Sequence, residues 1–264
     1  MNSFDYHQPA STAAAAALLS GKTDPRLIAG GQSLLPTMKL GLAAPSDLID
    51  LSKIDSLRGI RVEGDAVVIG AMSTHAEVAA SALVIQSIPA LAALADGIGD
   101  QQVRARGTLG GSLANNDPAA CYPSAVLALG ATIQTNRRTI AADDFFVGIY
   151  QTALAADEII EAVRFPRPQA AAYVKFRQPA SHYALVGVFV ARSARGVRVA
   201  VTGAAACAQR VPALEQALSR EWSAKAARGV KVDAAELNSD LHASAQYRAH
   251  LIPVLAGRAV ESAR

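Results

Sequence analysis

The chain has 264 residues, 51% of them hydrophobic, with 25 Lys+Arg against 22 Asp+Glu for a formal charge of +3, which suffices for one large domain or two to three small ones and excludes disorder as the main state. By count roughly 57 residues are alanine and only 5% are aromatic, so small side chains carry the hydrophobicity and suit thin helices and close backbone approach. The charges are dispersed, with no basic run beyond Arg137-Arg138, which argues against a nucleic-acid or membrane-surface role.

In chain order, residues 11–19 read as a helix opened by a Ser/Thr cap and stopped at Gly21. A short apolar run, Leu27-Ile28-Ala29, feeds a first glycine segment, Gly30-Gly31-Gln32-Ser33. Residues 47–51, 59–62 and 66–70 read as short strands, the last two joined by a hairpin turn at Gly64-Asp65. Thr74, three residues before Glu77, predicts a capping box and a helix through about Leu83, and a second, deeply buried helix is expected over 88–98. A second glycine segment, Thr108-Leu109-Gly110-Gly111-Ser112-Leu113-Ala114, is followed by Asn115-Asn116-Asp117-Pro118, a helix over 124–129 and a strand over 131–135. Pro166 and Pro168 mark the best candidate linker. Beyond it, 172–176, 184–192 and 197–202 predict three strands of an antiparallel sheet, with helices over 211–218 and 244–259 covering one face. The expected class is α+β, without repeats.

The longest apolar stretches stop short of the roughly 20 residues of a bilayer span, and MNSFDYHQPA has neither a cationic start nor an apolar signal core. A soluble, cytoplasmic chain without a membrane span is therefore expected. Two cysteines, Cys121 and Cys207, cannot supply the four ligands of an iron–sulfur cluster or zinc ribbon, and the five histidines show no ligand spacing. No metal is expected here; any metal centre belongs to another chain. The pairs Asp143-Asp144 and Asp157-Glu158 fall beside turn signals and read as solvated or capping acids.

Neither glycine segment is the G-x-G-x-x-G of a βαβ unit, and no P-loop signature is present. A glycine pair allows positive φ and lets backbone N–H groups approach a ligand without an intervening Cβ, forming a nest for phosphate oxygens. Ser33, Thr108 and Ser112 add hydroxyl donors. Two such segments could clasp one pyrophosphate, although either alone is equally consistent with an ordinary tight turn.

Taken together, Ala29-Gly30-Gly31-Gln32-Ser33-Leu34-Leu35-Pro36-Thr37-Met38-Lys39 and Arg106-Gly107-Thr108-Leu109-Gly110-Gly111-Ser112-Leu113-Ala114, with Asp117-Pro118-Ala119-Ala120 after it, resemble the two flavin loops of the FAD-binding medium subunit of molybdenum hydroxylases. This is the carbon monoxide dehydrogenase and xanthine dehydrogenase family. The resemblance continues through 175–184 and 244–251, and Phe4-Asp5-Tyr6 resembles the family's opening strand.

The resemblance implies a two-part FAD-binding domain of the PCMH (vanillyl-alcohol oxidase-like) type over 1–166, with subdomains of about 1–55 and 56–166, and a flavoprotein C-terminal domain over 170–264. It implies that Ala29, Gly30, Gly31, Gln32, Ser33 and Leu34, with Thr108, Leu109, Gly110, Gly111 and Ser112, hold the FAD pyrophosphate and adjoining sugar. Asp117 would sit near the flavin's polar side and Ile98 near the adenine. Ile160, Lys175 and Tyr183 would surround the isoalloxazine, where a lysine can stabilise anionic reduced flavin. Gln32 replaces a frequent His and Ser112 a frequent Asn. Cys121 replaces an acidic residue of some members, which would remove a charge from the flavin's surroundings.

The implied function is an FAD-carrying electron-transfer subunit without catalytic residues of its own. Its partners would be a small subunit with two [2Fe–2S] clusters and a large molybdopterin subunit, in a dimer of heterotrimers. It would pass electrons to an acceptor that is NAD, quinone, cytochrome or dioxygen. Two rivals are a self-contained FAD-dependent oxidase or reductase, disfavoured by few titratable groups near the ring, and an alanine-rich adaptor that has lost flavin.

Overall fold

The computed structural model describes residues 2–264, and the chain builds three units around one cavity. The first unit holds β1 (Asp5–His7), α1 (Thr12–Gly21), β2 (Pro25–Ile28), α2 (Leu34–Lys39) and β3 (Asp47–Asp50). Its sheet is parallel in the order β1-β3-β2. The Ser11 hydroxyl caps α1 by accepting from the Ala14 N–H, as the Ser/Thr start predicts. Ala15 of α1 packs with Ile49, Leu51 and Ile54 in a small core.

The second unit opens with the hairpin β4 (Ile60–Glu63) and β5 (Ala66–Gly70), turned at Gly64 with φ +60°. Thr74 and Glu77 form the expected capping box at the start of α3 (His75–Ala80). The helix does not reach Leu83, because Ser81 goes extended and its hydroxyl caps a separate helix, α4 (Ala82–Ser87). Next comes α5 (Pro89–Asp96), with Pro89 in its first turn and Leu91 and Leu94 fully buried. Each such leucine contributes about 1.5–3 kcal/mol by leaving water. Then follow α6 (Gln101–Arg106), α7 (Leu109–Asn115), α8 (Tyr122–Ala128), β6 (Thr132–Thr135), β7 (Thr139–Ala141), α9 (Ala142–Phe145), β8 (Phe146–Gly148), β9 (Gln151–Thr152) and β10 (Ile160–Pro166). The main sheet is antiparallel in the order β4-β5-β10-β6-β7.

The third unit contains β11 (Ala170–Arg177), β12 (Ala184–Ser193), β13 (Gly196–Thr202), β14 (Gln209–Arg210), α10 (Pro212–Arg220), α11 (Ala224–Arg228) and α12 (Ala245–Ser262). The three expected strands form an antiparallel sheet to which the two-residue β14 adds a fourth. Val186, Val188 and Val190 of β12 face a core shared with Leu251, Ile252 and Leu255 of α12. Phe189 and Ala191, on the other face, join the core of α5 and α8 in the second unit. Burial on both faces explains why β12 reads as an unbroken apolar run without polar alternation. Among the described residues no helix is long and apolar enough to cross a membrane.

The acidic pairs are more engaged than their turn-side positions predict. Glu158 is buried, accepting from Arg138 Nε and Nη2 at 2.9 Å each, from Thr135 Oγ1 at 2.7 Å and from the Ala155 N–H at 3.0 Å. These bonds, led by Arg138, hold its carboxyl down at about 2. Asp157 pairs with Arg137, and Asp143 with Arg198 and Arg210, tying the second unit to the third.

Candidate cofactor site

Residues 30–33 leave β2 at the carboxyl edge of the parallel sheet and lead into α2. Among the described residues no acceptor takes the backbone N–H of Gly30, Gly31, Gln32, Ser33 or Leu34. Gly31 has φ +73°, the left-handed backbone that glycine adopts at no steric cost. Ser33 stands at the cap position of α2 without a side-chain cap bond, so its hydroxyl is also uncommitted. A run of successive unpaired N–H groups is the nest geometry that takes an anion.

The second segment departs from the expected nest. It is the first turn of α7, and its N–H groups are already used: Leu109 donates to Ser73 O at 3.0 Å, Gly110 to Ala71 O at 2.8 Å and Ser112 to Thr108 O at 3.0 Å. Gly111 N–H donates to its cap, Thr108 Oγ1, at 3.1 Å. The glycines here serve packing: a Cβ on Gly110 would stand 2.6 Å from Ala71 Cβ, and one on Gly107 2.6 Å from His75 Nε2. Gly30 likewise makes room for backbone, since its Cβ would lie 2.1 Å from Arg106 O. The two segments therefore touch.

They border one cavity of about 790 Å³, inside the roughly 300–1,000 Å³ typical of small-molecule sites. Of the residues singled out from the sequence, Ala29, Gly30, Gly31, Gln32, Ser33, Leu34, Thr108, Gly110, Gly111 and Ser112 line the end where the segments meet. Ile98, Asp117, Cys121, Ile160, Lys175 and Tyr183 line the rest. Leu109 does not line it; its side chain is fully buried in the core of the second unit.

At the far end Lys175, on β11, donates to Gly97 O at 2.8 Å and lies 3.5 Å from Cys121 Sγ. Asp117 accepts from the Ala119 N–H at 2.8 Å and from the Tyr150 hydroxyl at 3.2 Å. Burial, reinforced by Asp117, pushes the phenols of Tyr150 and Tyr183 upward, so both stay protonated donors. His182, with φ +60°, is exposed at the rim. The expectation of few titratable groups at this end is therefore not met, for Asp117, Cys121, Tyr150, Lys175 and Tyr183 all gather there.

Three contributors carry no obvious sequence signal. His75 lines the cavity beneath the second segment; it is buried, its Nδ1 lacks a partner, and burial with the nearby Arg104 guanidinium holds its imidazole down at about 4. Thr202, at the end of β13, donates to Pro118 O at 2.9 Å and Ala120 O at 2.6 Å, pinning the 117–121 segment. Arg248 of α12, almost fully buried, donates to Leu185 O at 2.6 Å and Gly203 O at 2.7 Å and thereby braces the same strand ends from behind. The Trp222 ring carries the Arg192 guanidinium at 5.0 Å from its centroid.

Residues 2–168 match the family model described as the FAD binding domain in molybdopterin dehydrogenase. The nicotine 6-hydroxylase medium subunit of Paenarthrobacter nicotinovorans is 43% identical over 98% of this chain and 96% of its own length. Among solved structures, carbon monoxide dehydrogenase of Hydrogenophaga pseudoflava superposes with a TM-score of 0.89 at 37% identity, covering 98% of this chain and 96% of that one. Quinoline 2-oxidoreductase of Pseudomonas putida 86 gives 0.89 at 31% identity with the same coverage.

Proposed function

The chain belongs to the family of FAD-binding medium subunits of molybdenum hydroxylases, and from that premise we propose that it relays electrons from the [2Fe–2S] clusters of a small partner subunit to an external acceptor. Substrate hydroxylation would take place in a large molybdopterin subunit, within a cytoplasmic dimer of heterotrimers. Residues 1–166 would form the FAD-binding domain and 170–264 a C-terminal domain that closes the cavity through Lys175 and Tyr183.

The observation that carries this reading is the run of free N–H groups from Gly30 to Leu34, opening on a cavity that extends to Lys175. Those N–H groups and the Ser33 hydroxyl fit the pyrophosphate, so the first segment holds the anion with dipoles and no basic patch is needed. Thr108 and Ser112 close the site from the other side. Ile98 and Ile160 supply apolar surface for rings. FAD bound there would supply a redox centre that exchanges one or two electrons. Lys175 keeps a positive charge at that end, Asp117 with Tyr150 fixes the polar edge, and Tyr183 shields the opening.

The purified chain should be yellow, or become so on reconstitution with FAD, and Gly111→Val should lose that uptake by filling the space between Thr108 Oγ1 and Ala29 Cβ, 2.8 and 3.6 Å from its new Cβ. A colourless wild type that takes up no FAD overturns the reading. In the assembled complex, flavin reduction by the large subunit's substrate should cease when the small subunit is removed. Turnover by the solitary chain would instead favour a self-contained flavoenzyme.

A further inference from the structure

We propose that Cys121 and Lys175 form an oxidisable pair, in which hydroperoxide oxidises the Cys121 thiol and the Lys175 amine then closes on sulfur to make a reversible S–N bond across the cavity. Lys175 Nζ stands 3.5 Å from Cys121 Sγ, yet the residues lie 54 positions apart, one at the cap of α8 and the other on β11. Both line the cavity, so a small oxidant arriving by that route meets the sulfur with the amine already beside it. Cys121 is otherwise sealed, with 6% of its surface exposed. The buried Tyr173 hydroxyl has the Cys121 sulfur as its neighbour and no other hydrogen-bond partner among the described residues. It is placed to donate to an oxygen added to that sulfur.

The chemistry balances in two steps. The sulfur attacks one peroxide oxygen, the O–O bond breaks, and the thiol proton leaves with the departing hydroxide as water, giving the sulfenic acid. The Lys175 nitrogen then gives up protons and attacks sulfur; the S–N bond forms, the S–O bond breaks, and the oxygen leaves as water with one proton released. Hydrogen peroxide, the oxidant, forms wherever a reduced flavin meets dioxygen. An external thiol reverses the bond in two steps: it attacks the Cys121 sulfur, the S–N bond breaks and the Lys175 amine leaves with the thiol's proton, and a second thiol then exchanges with the resulting mixed disulfide to release the Cys121 thiol. Cys207, half-buried, has a backbone carbonyl rather than an amine beside its sulfur, that of Phe146 at 4.0 Å, and so has no nitrogen placed to close on it. Cross-linking would draw Lys175 from Gly97 O and remove its charge from the cavity, a consequence that rests on the FAD reading, whereas the bond itself does not.

The full chain, freed of FAD, is treated with hydrogen peroxide and digested without reductant. The expected product is a linked peptide joining positions 121 and 175, lost on dithiothreitol treatment and absent from Cys121→Ser and Lys175→Arg. Recovery of Cys121 as sulfinic acid, or trapping of its sulfenic acid by dimedone as fully in wild type as in Lys175→Arg, overturns the proposal. In a second arm, the cross-linked chain should lose FAD uptake and regain it with dithiothreitol. Full uptake by the cross-linked chain would leave the bond standing and overturn its coupling to the cofactor site.

Discussion

The two glycine segments look alike in sequence and are used in opposite ways. Residues 30–34 leave five backbone N–H groups without a partner among the described residues and place one glycine, Gly31, at positive φ. Residues 109–112 form a first helical turn, capped by Thr108, whose N–H groups are spent on Ala71, Ser73 and Thr108. A Gly-Gly pair thus marks close approach without saying what approaches. In the first segment Gly30 meets the neighbouring backbone while Gly31, at positive φ, borders the cavity; in the second, Gly107 and Gly110 meet protein atoms only.

The largest effect is expected where the segments touch. Gly30→Ala would put a Cβ 2.1 Å from Arg106 O, with backbone on both sides and no flexible side chain to yield. Overpacking of this kind costs about 3 kcal/mol, and the segments must part to relieve it. Thermal unfolding should shift down strongly, and bound FAD, measured by absorbance after gel filtration, should fall to a small fraction of wild type. Wild-type FAD content in this variant would show that the segments need not touch.

Next in size is an acid-sensitive link beneath the second segment. His75 ordinarily titrates at 6.5 and is held at about 4 by burial and by Arg104. Between those values the unfolded chain binds a proton that the folded chain refuses, so stability is full above pH 6.5 and falls as the pH drops toward 4. The difference approaches about 3 kcal/mol. Urea titrations should show this slope in wild type and its loss in His75→Gln; an unchanged slope would assign it to other groups. The carboxyls of Asp47 and Glu158, lowered from 3.8 and 4.5 to about 2, lose their contribution as the pH falls from those ordinary values toward 2, so only the onset for Glu158 enters this window and His75→Gln leaves it in place.

These differences also bear on what could be read without coordinates. The capping box at Thr74, the Ser11 cap and the three long strands of the third unit were legible because local chemistry sets them. Helix α7 was not, because Gly110 and Gly111 lower its helix propensity and the acceptors that order it, Ala71 O and Ser73 O, arrive from more than thirty residues upstream. For the same reason the candidate site residues were nameable while their use was not: whether an N–H is free depends on which distant carbonyl faces it. Arg248 was invisible as a brace because its acceptors sit at the ends of β12 and β13.

Gly31→Ala tests the nest with less collateral damage. Its positive φ costs an alanine about 1–2 kcal/mol, while the nearest atom, Leu35 Cδ1 at 2.9 Å, is a side-chain end that can move. Stability should drop modestly and the Kd for FAD should rise several-fold. Gly59→Ala, also at positive φ, at +98°, but with nothing within 4 Å of its Cβ, provides the comparison: a similar stability loss with unchanged FAD binding. Equal FAD binding in both variants would mean that residue 31 shapes no anion site.

The smallest effects separate the segments most cleanly, because they change one hydroxyl in each. Thr108 Oγ1 accepts from Gly111 N–H at 3.1 Å, so Thr108→Ala removes a helix cap and should cost about 1 kcal/mol of stability. Ser33 occupies the matching position before α2 and makes no cap bond, so Ser33→Ala should leave unfolding within about 0.5 kcal/mol of wild type. If its hydroxyl is reserved for the pyrophosphate, FAD dissociation should quicken several-fold in Ser33→Ala. Fluorescence recovery on FAD release measures that rate, and stability loss without any change in release would make Ser33 a structural residue like Thr108.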